Sequence, residues 1–275
     1  MKLSDWIKDE KGSIELLPVW HTTKWKNFEQ IIEKGVLSSR YSRFLPLHTE
    51  DKEAKGRIYL FYGLPFYIYE TGVGEEIQIE ATDQLPIAII FNPKSILALD
   101  CFYPFDTGAL STGKFAKIIK NESQQELDVY KVSISDGVEL QKTIERYYHQ
   151  NENYCFGKLK FNIESSCHPS EENLIRLFEQ SVSTQVDIRS RAIEVHCTTD
   201  LVLSDSIMAV VLPRLRSSRY SYIIDKIRDK FPAVEIIYYN DLMRFNHESI
   251  RTAVLDKTMD FYDNEESMNF AYSKL

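Results

Sequence analysis

A chain of 275 residues, 43% hydrophobic and 12% aromatic, has enough apolar material for a sizeable core and holds one large domain or two ordinary ones. Its longest apolar runs, Pro86–Phe91 and Ile207–Pro213, are far too short to span a bilayer, and Met1–Lys11 lacks the apolar centre of a signal peptide, so a soluble cytoplasmic protein without a membrane partner is expected. A formal net charge of −8 argues against broad coating of nucleic acid, and four widely spaced cysteines with no CxxC pair argue against a zinc ribbon or a dense disulfide framework.

A short helix-like N-terminus leads into a strand near Leu17–His21, which delivers one histidine to its end. Trp25, Phe28, Ile31 and Ile32 then fall on one helical face, predicting a helix over Lys24–Lys34 that stops at Gly35, a natural C′ residue. Arg57–Tyr69 (RIYLFYGLPFYIY) is dense in aromatics and broken by Gly63 and Pro65, so it reads as a strand, a turn and a second extended or helical piece. The β-branched run of Pro86–Asn92 predicts a buried strand, and Tyr103–Leu110 (YPFDTGAL) a loop.

Val138–Tyr148 has a helical pattern, whereas Tyr154–Glu164 alternates as an edge strand or loop would. Ser170 stands as a cap before a helix that includes Leu174–Phe178. Strands follow at Ala192–Cys197 and Ile207–Leu212, a helix at Ser218–Phe231, a strand at Val234–Tyr239 and a final helix at Phe245–Tyr262. With no internal repeat and no low-complexity linker, the order predicts one α+β domain over residues 1–275 with a helical C-terminal extension from about residue 241.

Arg189–Leu212 (RSRAIEVHCTTDLVLSDSIMAVVL) carries the most chemical information. In a strand over Ala192–Cys197, Ala192, Glu194 and His196 face one way and Ile193, Val195 and Cys197 the other. A carboxylate between Ile193 and Val195 is either an outward residue of a half-exposed sheet or a functional group. Pro213–Lys230 contains Arg214, Arg216, Arg219, Lys226, Arg228 and Lys230 against Asp225 and Asp229, a pattern that suits a solvated helix face or a phosphate-contacting one. Neither GxGxxG nor GxxxxGK[ST] occurs, so no Rossmann or P-loop reading competes for a nucleotide.

His21 in VWHTT, Tyr62 or Tyr67 in LFYGLPFY and Glu194 in RAIEVH occur in the order found in the His-Tyr-Glu branch of the ADP-ribosyltransferase superfamily, which the sequence resembles over Leu17–Leu212. RSRAIEVH followed by DSIMAVVLP is similar to the ending of bacterial DNA- and RNA-modifying ADP-ribosyltransferase toxins. The resemblance implies a central mixed or antiparallel split sheet flanked by helices, NAD as co-substrate, and transfer of ADP-ribose to a macromolecular acceptor. It implies that Glu194 stabilises the oxocarbenium-like ribose, a task suited to a carboxylate. His21 would bond the adenosine-side ribose with Thr22 beside it, and Tyr62 or Tyr67 would pack on nicotinamide. Arg40 and Arg43 would meet the NAD phosphates.

Asp106 reads as an Asx-turn or as a group that positions substrate. Transferases that modify arginine typically carry a second acidic residue two positions before the glutamate, where this chain has Ala192, so the acceptor implied is nucleic acid, contacted by Arg214, Arg216 and Arg219, or failing that a protein side chain other than arginine. A toxin or phage-defence enzyme of this kind would need an inhibitory antitoxin partner. The alternatives are a catalytically silent binding module with the same fold and an NAD glycohydrolase.

Overall fold

The computed structural model describes residues 1–39, 56–66, 85–119, 124–164, 167–182, 188–215, 218–240 and 247–263. In chain order the strands are β1 (Val19–Lys24), β2 (Val36–Leu37), β3 (Ile58–Tyr62), β4 (Pro86–Phe91), β5 (Cys101–Tyr103), β6 (Val132–Ser133), β7 (Glu194–Cys197), β8 (Leu201–Val202), β9 (Ile207–Pro213) and β10 (Glu235–Tyr239). The helices are α1 (Leu3–Trp6), α2 (Trp25–Lys34), α3 (Thr107–Ser111), α4 (Gln124–Asp128), α5 (Val138–Tyr147), α6 (Asn151–Phe156), α7 (Pro169–Val182), α8 (Leu203–Ser206), α9 (Ser218–Lys230) and α10 (His247–Asp263). They form two compact units interleaved in sequence: Met1–Leu17, Ser39–Phe66 and Ile96–Thr199 in the first, Pro18–Ser38, Tyr67–Ser95 and Asp200–Leu275 in the second.

The first unit holds four strands in the order β3-β7-β5-β6, antiparallel throughout. Phe61 and Tyr103 flank Glu194 across the ladder, and Tyr59 and Cys101 flank His196. Because side chains alternate, these six share one face, while Ile58, Leu60, Tyr62, Phe102, Val195 and Cys197 occupy the other. That second face is buried throughout and belongs to the core. Aromatics of α5, α6 and α7 extend the core, with Tyr148 edge-on to Tyr154 at 5.1 Å. The Tyr154 hydroxyl donates to the Tyr62 carbonyl at 3.0 Å and accepts the Ile193 N–H at 3.1 Å, which fixes the entry into β7.

Two expectations for this unit need correction. The Tyr154–Glu164 segment is no edge strand: Asn151–Phe156 is a helix, closed by Gly157 at φ 69°, and only the stretch after it is turn and irregular chain. The cause is Tyr154, whose ring is buried, and the glycine that supplies the left-handed cap. The Tyr103–Leu110 stretch is not all loop, since Tyr103 ends β5 and Asp106 caps α3 by accepting the Ala109 N–H at 2.8 Å.

The second unit orders its strands β10-β9-β4-β1, with β10 and β9 parallel and the other pairs antiparallel, and it also contains a small β2-β8 pair. Trp20, Ala88, Ile90, Ala209, Val211 and Tyr239 form its core with Ile250, Val254 and Phe261 of α10. The α2 helix ends where expected: Gly35 has φ 67° and its N–H reaches the Ile31 carbonyl at 2.9 Å. Trp25 of α2 stacks on Tyr220 of α9, ring centroids 5.2 Å apart. The chain is therefore α+β, with antiparallel strands in one unit and mixed strands in the other. Among the described residues no helix is long and apolar enough to cross a membrane.

Candidate active site

Glu194 is the first residue of β7 and is 2% exposed. A buried carboxyl is costly unless its oxygens find donors. They do: Oε1 accepts the Thr107 hydroxyl at 2.5 Å and lies 2.5 Å from His196 Nε2, and Oε2 accepts the Thr107 N–H at 3.2 Å. Thr107 begins α3, so the helix capped by Asp106 brings its first N–H and a hydroxyl to the carboxyl.

His196, two residues along the same face, is also buried. Burial lowers its basicity, so the ring is neutral at pH 7, with the Cys101 thiol as a second neighbour. Its Nδ1 lies 3.4 Å from Arg57 Nη1. Arginine only donates, so Nδ1 is the acceptor and Nε2 carries the hydrogen that goes to Glu194. Tyr59 meets the imidazole edge-on at 4.7 Å, and Tyr103 lies at 5.2 Å. Burial and the Glu194 charge push the Tyr59 hydroxyl up to about 12.

Asp106 stands beside this group, 2% exposed. Burial and the neighbouring Glu194 raise its pKa to about 8, against the opposing pull of the Ala109 N–H and Arg189. Burial raises Glu194 to about 7, with the hydrogen bonds from Thr107 and Asp106 acting the other way. Two adjacent buried carboxyls, one at the head of a strand and one at the cap of a helix, can hold and pass a proton near neutral pH. Among the described residues no group of three or more His, Cys, Asp or Glu is placed to hold a metal ion.

The structure thus brings together two of the residues singled out in the sequence, Glu194 and Asp106. Tyr62 belongs to the opposite face: it is fully buried, its hydroxyl accepts the Leu17 N–H at 3.0 Å and reaches Asn151 Oδ1 at 3.4 Å. His21 and Thr22 are half-buried on β1 of the second unit, opposite Ile89 and Ala88. Arg214 is exposed just past β9, its guanidinium 5.6 Å from the Tyr238 ring centre. Arg40, Arg43, Tyr67, Arg216 and the Arg219 side chain lie outside the described residues.

Sequence reasoning does not single out Thr107, Tyr59, Arg57 or Cys101. Thr107 is 87 positions from Glu194, a separation that no local pattern reports. For His196 a signal exists, since strand alternation already puts it on the face of Glu194.

Fold and cluster together define an α+β protein with a buried acid pair at the head of a central strand. Among solved structures, the chain is similar to "Thermus sp. 2.9 DarT in complex with NAD+", with a TM-score of 0.39 and 10% identity over 82% of this chain and 96% of that one. It is also similar to "Thermus sp. 2.9 DarT in complex with ADP-ribosylated ssDNA", with a TM-score of 0.37 and 10% identity over 80% and 93% of the two chains. The sequence matches no protein-family model and no curated protein. At these TM-scores the likeness assigns neither family nor activity.

Proposed function

We propose that the chain is an NAD-consuming ADP-ribosyltransferase in which Glu194 is the carboxylate facing the nicotinamide-side ribose, with nucleic acid rather than arginine as acceptor. The observation that carries this reading is the state of Glu194 itself. It is a buried carboxyl at a strand head, aimed by Thr107 and His196, with its proton affinity raised into the neutral range. A carboxylate so fixed costs no reorganisation when positive charge develops on a ribose, the main requirement for breaking the nicotinamide bond. Sequence order supplies the rest: His21 and Thr22 for the adenosine-side ribose, Arg40 for phosphate, and Arg214, Arg216 and Arg219 towards the acceptor. With Tyr62 enclosed in the core, the ring that packs on nicotinamide in this reading is Tyr67.

A second reading also has an observation behind it. Glu194 is 2% exposed and both its oxygens are met by Thr107 and His196, which suits a structural polar network in a binding module without activity. Incubation with labelled NAD and cell extract, followed by nuclease or protease on parallel samples, separates the two. Nuclease-sensitive label supports transfer to nucleic acid, protease-sensitive label moves the acceptor to protein, and intact NAD throughout leaves the binding module.

A further inference from the structure

Deepening the reading of Glu194 as the working carboxylate, we infer that the last proton of the buried acid pair resides on Asp106 Oδ2 and is donated to Glu194, making Asp106 the residue that positions this carboxylate. The geometry of donors requires it. Asp106 Oδ1 is taken by the Ala109 N–H at 2.8 Å as the cap of α3. Oδ2 is buried, and among the described residues no N–H or O–H reaches it. The neighbouring carboxyl is Glu194, another acceptor: it is bonded by Thr107, the residue next to Asp106, and each carboxyl acts on the other. Two carboxylates facing each other away from water repel and leave Oδ2 unmet; one proton between them removes both faults.

The other neighbours say which oxygen holds that proton. Glu194 receives hydrogens from the Thr107 hydroxyl, the Thr107 N–H and His196 Nε2, so it is already arranged as a pure acceptor. Asp106 receives one, from Ala109. A proton on Glu194 would weaken it as the acceptor of three donors, whereas a proton on Asp106 Oδ2 gives that oxygen a partner and keeps Glu194 ionised towards its donors.

The remaining groups near the pair do not reverse this. On β7, His196 is neutral, and on β5 Cys101 and Tyr103 are buried. From β3, Tyr59 stays un-ionised to about 12, and Arg57 reaches His196 rather than the acids. Arg189, in the 3-10 turn before β7, favours an ionised Asp106, but burial and Glu194 outweigh it.

The arrangement makes Asp106 a hydroxyl-like donor that fixes the direction of the Glu194 carboxylate, and it sets an upper pH limit. When Asp106 loses its proton to solvent, a second negative charge appears beside Glu194, the hydrogen bond becomes a repulsion and the aim is lost. Asparagine imitates the protonated form, because its carbonyl can still cap Ala109 and its amide can donate to Glu194 without titrating.

Infrared spectra of the protein in deuterated buffer at about pH 8, above the pH where burial alone holds a proton on Glu194, test the pair without any substrate. The wild type should show the carbonyl stretch of a protonated carboxyl, and Asp106→Asn should lack it. No such band in the wild type, or the same band in Asp106→Asn, overturns the assignment whatever the protein does with NAD. If NAD is consumed, Asp106→Ala should lower kcat about tenfold or more through misalignment, and Asp106→Asn should recover most of that loss and move the alkaline limb of the kcat profile upward. An unmoved alkaline limb in Asp106→Asn would equally overturn it. Absence of turnover in the wild type bears on the transferase reading and leaves the infrared result standing.

Discussion

Glu194 sits where a glutamate is expensive, and the charge it carries decides what its replacement does. A glutamine side chain in its place keeps the shape and one acceptor but removes the negative charge, so Glu194→Gln should leave the fold and NAD binding in place and lower turnover by on the order of 10²–10⁴-fold. Labelling by the variant at the wild-type rate would take Glu194 out of the reaction. Stability offers a second measurement, and its sign follows from the raised pKa values of the pair. Below about pH 3 both folded and unfolded chains hold these protons. As pH rises, the unfolded chain releases them in the ordinary carboxylate range, while the folded chain keeps them to about 7 and 8. The folded state therefore binds more protons in that window, and this contribution to stability falls as pH rises through it. Between about pH 5 and 8 the loss should be on the order of 5 kcal/mol, about 1.4 kcal/mol per pH unit for each proton retained, and should shrink in Glu194→Gln, where burial alone keeps Asp106 raised, read as the difference between denaturant midpoints of the two proteins at each pH. A difference that stays constant over the window would contradict the raised pair. For His21, a role in holding a ribose hydroxyl means that His21→Ala weakens NAD binding by roughly 1–3 kcal/mol with a smaller effect on melting. Calorimetric titration beside a melting curve checks it, and unchanged affinity with a large melting shift would return His21 to the packing of β1.

The elements that carry the strongest periodic pattern are those the sequence shows plainly. The face of Trp25, Phe28 and Ile32 specifies α2, and Gly35 ends it by the left-handed conformation only glycine takes cheaply. Pro86–Phe91 and Ile207–Pro213 are apolar throughout and become the two central strands of the second unit. The short elements around Glu194 are not legible in the same way. Five-residue α3 has too few turns for a period, and an aspartate capping a helix looks in sequence like one closing an Asx-turn. The oddity of Glu194 among apolar neighbours is visible in the sequence; its partner Thr107 is not, because only the folded sheet brings the two together. The link from α6 to β7 provides a test of such a tertiary constraint. Gly157 and Gly35 have nearly equal φ, 69° and 67°, so alanine is equally strained at both. Their surroundings differ: a Cβ at Gly35 meets nothing within 4 Å, whereas one at Gly157 would lie 2.1 Å from Arg191 Nη1. That guanidinium is held at 2.9 Å by the Tyr154 carbonyl and cannot move without losing the bond. Gly35→Ala should cost about 1 kcal/mol, and Gly157→Ala about 2–3 kcal/mol, in chemical denaturation. Equal losses would mean that Arg191 yields freely and does not tie α6 to the entry of β7.

Across the molecule a net charge of −8 opposes any polyanion, so binding of nucleic acid depends on where the positive charge is not already used. The basic segment Pro213–Lys230 divides in this respect. Lys226 bonds Glu33 at 3.1 Å, Lys230 bonds the Ile32 carbonyl at 3.2 Å, and Arg228 lies 3.8 Å from Asp225, so the last turns of α9 spend their cations on their own unit. Arg214 is exposed and rests against the Tyr238 ring, a placement that leaves its guanidinium edge to solvent and suits contact with phosphate. If Arg214, Arg216 and Arg219 meet the acceptor's phosphates, each such meeting releases counterions and binding weakens as salt rises. Replacing the three by glutamine should lower transfer to single-stranded nucleic acid and reduce the slope of log affinity against log salt by up to about 0.7 for each phosphate left without its arginine. Slow hydrolysis of NAD in water, which needs no acceptor, should stay near the wild-type rate. Measuring both activities of the triple variant from low to moderate salt decides the matter: loss of both together, or of neither, assigns these arginines to the solvated surface beside α9 and moves the acceptor elsewhere.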